Sequence, residues 1–124
     1  MADTQKHILV AEDEKPMAKA LQLKLSKSGF TVETVGNGEE LLAALKNNKY
    51  DLVLMDLIMP KMDGFSTLEA LQKEGNTTPI IVSSNLSQEE DAKRALSLGA
   101  VDFIIKSNTS ISEIVEKVQS FLEK

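Results

Sequence analysis

The chain contains no cysteine. Disulfide bonds and thiolate chemistry are thereby excluded, and the absence fits a cytosolic protein. No apolar stretch reaches the length of a membrane-spanning helix. The polar start MADTQKH lacks the long apolar core of a signal peptide. No run of lysine and arginine is present, and the net charge is −5, so nucleic-acid binding is not expected. Only one histidine occurs, His7; it precedes the first apolar run and reads as a surface residue. No linker, internal repeat or low-complexity segment appears. The expectation is a cytoplasmic protein that contacts neither membrane nor nucleic acid.

What is present is ordinary in bulk and specific in pattern. A length of 124 residues suits a single domain, residues 1–124, with a hydrophobic core of its own. Short apolar runs alternate five times with amphipathic segments. His7 to Glu12 reads as a strand whose run Ile8-Leu9-Val10-Ala11 is apolar enough to be buried on both faces. Pro16 then opens a helix with Met17, Leu21 and Leu25 at helical spacing, and Gly29 ends it. Phe30 to Val35 is alternating and threonine-rich, as an edge strand would be. Asn37 with Glu40 forms a capping-box pattern before Leu41, Leu42 and Leu45. Asp51 to Asp56 is the third strand, and Gly64 leads into a helix carrying Phe65, Leu68 and Leu71 that Gly75 closes.

Pro79 opens the fourth strand. Ser87 with Glu90 repeats the cap pattern, and Ala92, Ala95, Leu96 and Leu98 supply an apolar side that Gly99 terminates. Val101 to Ile105 is the fifth strand. Ser110 with Glu113 caps a last helix whose stripe is Ile111, Ile114, Val115, Val118, Phe121 and Leu122. This is a (βα)5 pattern, an α/β protein with helices on both faces of a parallel sheet.

Four of the strands end on functional groups: Glu12-Asp13, Asp56, Ser84 and Lys106. Parallel strands share one carboxyl edge, and ligands bind in the crevice outside it. The flavodoxin-like order 2-1-3-4-5 has its switch point between strands 1 and 3, where Glu12, Asp13 and Asp56 fall, and that coincidence favours it over other orders. Three adjacent carboxylates repel one another unless a cation neutralises them. Mg²⁺ is the natural partner when a phosphate is also bound, with Lys106 balancing its oxygens. A carboxylate can also attack phosphorus as a nucleophile.

In these residues the chain resembles the receiver domain of two-component response regulators over essentially its full length. The matching pieces are Glu12-Asp13, Asp56, the run Met59-Pro60-Lys61-Met62-Asp63-Gly64, Pro79-Ile80-Ile81, Ser84 and Phe103-Ile104-Ile105-Lys106. The resemblance implies that Asp56 accepts a phosphoryl group from a histidine kinase or phosphotransfer protein. It implies Mg²⁺ bound through the carboxylates of Asp13 and Asp56 and the backbone carbonyl of Ile58, with Glu12 acting through a water. Ser84 and Lys106 would hold phosphoryl oxygens, and Phe103 would be the aromatic switch that turns inward as Ser84 moves. The face of helix 4, strand 5 and helix 5 would then report to a downstream protein.

The implied protein is a stand-alone signalling domain of the chemotaxis-regulator kind. It is no enzyme beyond self-catalysed phosphoryl transfer and autodephosphorylation. The chain could equally be a receiver excised from a longer protein, and the closing residues Phe121-Leu122-Glu123-Lys124, without a linker, mildly favour a complete one.

Several positions depart from the family pattern. Ser107 stands where proline usually follows the strand-5 lysine, so Lys106–Ser107 is expected to be trans and the following loop to run differently. Asn85 replaces a small residue. Ile58 and Leu86 flank the phosphoryl position with apolar groups, which predicts a long-lived phosphoaspartate. Two rivals remain: a pseudo-receiver that binds partners without phosphorylation, and an Mg²⁺-dependent aspartate-nucleophile phosphatase. The phosphatase requires a second Asp two residues after the nucleophile, where this chain has Ile58.

Overall fold

Continuous apolar runs become strands buried on both sides. The computed structural model describes residues 5–85 and 89–123. The strands are β1 (His7–Ala11), β2 (Thr31–Val35), β3 (Leu52–Met55), β4 (Ile80–Ser84) and β5 (Asp102–Ile105). They alternate with α1 (Lys15–Lys27), α2 (Gly38–Asn47), α3 (Gly64–Lys73), α4 (Glu89–Ser97) and α5 (Ile111–Leu122). All pairings are parallel, in the order β2-β1-β3-β4-β5. This is the expected flavodoxin-like arrangement, with the switch point between β1 and β3.

Successive strand residues face opposite sides of the sheet, and the two cores follow that alternation. Ile8, Val10, Leu52, Leu54, Ile81 and Ile104 pack with Leu21 and Leu25 of α1 and Ile114, Val115 and Val118 of α5. Leu9, Ala11, Val53, Met55 and Val82 face Leu41 of α2, Leu68 and Leu71 of α3, and Ala95 of α4. Each fully buried aliphatic side chain contributes roughly 1.5–3 kcal/mol of transfer free energy. β2 lies at an edge, and Glu33 and Thr34 on it are exposed.

Local signals are mostly met. Pro16 occupies the first turn of α1. Gly29, Gly75 and Gly99 take left-handed φ values of 99°, 73° and 110° just past α1, α3 and α4, the conformation that ends a helix with little penalty for glycine. Ser110 and Glu113 form a complete capping box on α5.

Two expectations need correction. The Asn37 side chain caps α2 by accepting from Glu40 N, but Glu40 Oε1 accepts from Gly36 N, one residue before the cap. Leu96 is 47% exposed rather than packed, because α4 buries only Ala95. The Ser87 cap and Leu86 lie outside the described residues. No cis peptide occurs among the described residues, so Lys106–Ser107 is trans. A short 3₁₀ turn, Lys106–Asn108, follows β5.

Candidate functional site

β1 and β3 end side by side, and the sheet's hydrogen bonding continues one residue past each. Glu12 N–H donates to Val35 O at 2.9 Å, and Asp56 N–H donates to Ala11 O at 3.0 Å. The backbone is therefore fixed where the carboxylates begin. Oxygens of Glu12, Asp13 and Asp56 all lie within 4.8 Å of one another. Glu12 and Asp56 are buried, at 5% and 7% exposure, and Asp13 is exposed. Neither Glu12 nor Asp13 is spent as a helix cap: the N-cap of α1 is Glu14, which makes no side-chain cap bond.

Lys106 closes the cluster. Its Nζ donates to Glu12 Oε1 at 2.7 Å and to Asp56 Oδ2 at 2.9 Å. The remaining oxygens also have donors: Ile58 N–H reaches Asp56 Oδ1 at 3.1 Å, and Glu14 N–H reaches Glu12 Oε2 at 3.3 Å. Those backbone donors were not foreseen in the sequence, because main-chain groups carry no residue-type signal. Burial lowers the pKa of Lys106, but its hydrogen bonds to Glu12 and Asp56 outweigh that and leave it raised. Burial raises the Glu12 carboxyl above its ordinary value, with Lys106 opposing and Asp56 adding to the rise.

Three carboxylates facing one ammonium leave an excess of two negative groups, the charge of one divalent cation. The donor set is all oxygen and partly open to solvent through Asp13, which fits a hard cation such as Mg²⁺.

Ser84 ends β4, fully buried, in register with Ile105. It shares a sheet face with Val82 and so with half-buried Phe103, which packs against that core. Ser83 points the other way, as alternation requires, and its buried hydroxyl has no hydrogen-bond partner among the described residues. Ile58 is 55% exposed beside Asp56. Met59 is buried as a core filler, and His7 is exposed at the opposite end of β1.

The family profile of the response regulator receiver domain matches residues 8–119. The chain belongs to that family. It is 37% identical over 120 residues to a probable transcriptional regulator ycf27 of Cyanidium caldarium, covering 97% of this chain and 47% of the relative. It is 40% identical over 99 residues to the transcriptional regulatory protein DltR of Streptococcus agalactiae, covering 80% and 44%. The receiver domain of the Francisella response regulator 1452 superposes with a TM-score of 0.88 at 32% identity, covering 93% of this chain and 94% of that one. The chain thus spans about half the length of these curated relatives. As a receiver domain it is a signalling module of two-component systems, and its acidic pocket is of the kind in which receivers take up Mg²⁺. No helix among the described residues is long and apolar enough to cross a membrane.

Proposed function

We propose that Asp56 of this receiver domain is the phosphoacceptor and that Glu12, Asp13, Asp56 and the Ile58 carbonyl hold Mg²⁺. The observation that carries this reading is the meeting of the Glu12, Asp13 and Asp56 oxygens within 4.8 Å, with Lys106 bonded to two of these acids. An Asp56 oxygen attacks the phosphorus of a phosphohistidine on a histidine kinase or phosphotransfer protein. The new O–P bond forms as the P–N bond breaks, and the imidazole leaves with its electron pair. The bound cation supplies charge neutralisation for the transferring group. Ile58 N–H orients the Asp56 carboxylate throughout. Lys106 exchanges an Asp56 oxygen for a phosphoryl oxygen, and the Ser84 hydroxyl donates to another.

The product brings a charge of about −2 and new acceptors. Ser84 and Phe103 share a sheet face, so a shift of the hydroxyl is transmitted to the ring, and α4, β5 and α5 carry the change to a downstream protein. The reading places residues 1–124 in one domain in the cytoplasm, where such donors are charged. Any catalysis is limited to its own phosphorylation and dephosphorylation. Exposed, apolar Ile58 provides no general acid for a phosphatase.

Incubation with acetyl phosphate, with and without Mg²⁺, followed by intact-mass measurement tests the proposal. One phosphoryl adduct that needs Mg²⁺ and is lost in Asp56→Asn is expected. An unmodified wild type, or turnover of unrelated phosphomonoesters, contradicts it.

A further inference from the structure

We propose that Gly38, in the first turn of α2, is a positioning residue for the acidic site: its missing side chain lets α2 brace the loop that carries Ile58. The inference rests on the Mg²⁺ reading above and extends it to a residue from another βα unit.

Glycine is among the poorest helix formers, yet Gly38 is a buried helical residue without a left-handed φ. Conformational freedom does not account for it; space does. A Cβ at position 38 would lie 2.0 Å from Thr67 Oγ1, 2.7 Å from Met62 O and 3.1 Å from Met62 Cβ. Thr67 is fully buried and its hydroxyl donates to Asp63 O at 2.7 Å, so it is held in place. Gly38 N–H in turn donates to Met62 O at 3.3 Å.

Both sides of this contact are stiff. Asn37 Oδ1 accepts from Glu40 N at 2.9 Å and Glu40 Oε1 from Gly36 N at 2.8 Å, which fixes the first turn of α2. The loop between β3 and α3 is tied across its base by Gly64 N–H to Leu57 O at 2.8 Å, and Met62 N–H reaches Pro60 O at 2.6 Å. Lys61 within it holds a φ of 64°, unfavourable for a residue with a side chain. A short loop under such constraint has little room to absorb a displacement at Met62. Ile58, four residues earlier, moves with it, and the Ile58 amide is the donor that aims Asp56 Oδ1. Adding one methyl at position 38 therefore disturbs the metal ligands without touching them.

Calorimetric titration of the full chain with Mg²⁺ tests this. Gly38→Ala is expected to bind Mg²⁺ about tenfold more weakly, the usual effect of disturbing a ligand's support. Thr67→Ala alone is expected to keep wild-type affinity, and Gly38→Ala with Thr67→Ala to stay weak, because the added Cβ still lies 2.7 Å from Met62 O. Wild-type affinity in Gly38→Ala, or full recovery in the double variant, overturns the inference. Should Gly38→Ala not fold, the wild type suffices: the Gly38 and Met62 amide resonances must shift with the same half-saturation as Ile58 when Mg²⁺ is added, and unmoved resonances overturn the proposal. A wild type that binds no Mg²⁺ instead removes the metal reading itself, a result distinct from normal binding in both proteins.

Discussion

Lys106 and Glu12 are joined at 2.7 Å across 94 residues of sequence, with both side chains less than a tenth exposed. With its second bond to Asp56, Lys106 is the one cation paired with the acidic cluster among the described residues. Lys106→Met leaves Glu12 and Asp56 buried with no counter-charge. Removing one partner of a buried pair costs about 3 kcal/mol or more. Urea unfolding in the presence of a chelator should show that loss, and saturating Mg²⁺ should recover most of it. Equal stability of the variant and the wild type in chelator rules this out.

Glu12 makes the metal-free protein pH-sensitive. Its folded carboxyl is raised above the ordinary 4.5, chiefly by burial. The folded state therefore binds this proton more tightly than the unfolded state does. The associated stability is fully present below pH 4.5 and is lost as pH rises through the higher folded value. Lys106 is also raised, from 10.5, so its contribution is constant across this window. The stability difference between wild type and Glu12→Gln, measured in chelator, should fall as pH rises from 4.5 toward neutrality. A flat difference contradicts the assignment.

Ser83 wastes a hydroxyl. It is 3% exposed, faces the apolar α1–α5 side of the sheet, and has no hydrogen-bond partner among the described residues. Ser83→Ala should stabilise the protein by about 1 kcal/mol, since an unpaired buried polar group is removed at little cost in packing. Urea midpoints measure it, and an unchanged Mg²⁺ affinity would separate this effect from the acidic site at the carboxyl edge of the sheet.

Ile58 governs signal lifetime in the proposed function. Its exposed side chain stands beside Asp56 and offers attacking water no hydrogen bond. Ile58→Asn supplies one and should speed loss of the phosphoryl group about tenfold, a barrier change of roughly 1.4 kcal/mol. Time courses of adduct mass after removal of the donor test this; an equal or slower loss counts against it.

The fold was readable because the strands are near-continuous apolar runs and the chemistry falls at their ends. Glu12, Asp56, Ser84 and Lys106 could be gathered to one edge before any contact was known, since parallel pairing leaves a single edge to share. The family pattern singles out Ser84, and side-chain alternation turns Ser83 to the other face. Other features depend on contacts that sequence pattern does not encode. Glu40 bonds Gly36 rather than the cap residue itself, a matter of side-chain reach. Leu96 has helical spacing, but spacing does not say how much of a short helix the sheet will cover. Lys106 was expected to meet a phosphoryl group, and its bridge between Glu12 and Asp56 depends on distances among three separate elements. The crowding at Gly38 comes from Thr67 and Met62, which nothing in the local sequence ties to it.

The long span between Glu12 and Lys106 also orders events during synthesis. A growing chain exposes all three acids well before the lysine leaves the ribosome, and until β5 docks beside β4 the ammonium cannot reach them. A nascent or clipped polypeptide lacking that last strand holds mutually repelling carboxylates and no finished centre. In the proposed function, competence to accept a phosphoryl group thus arrives only once β5 has docked.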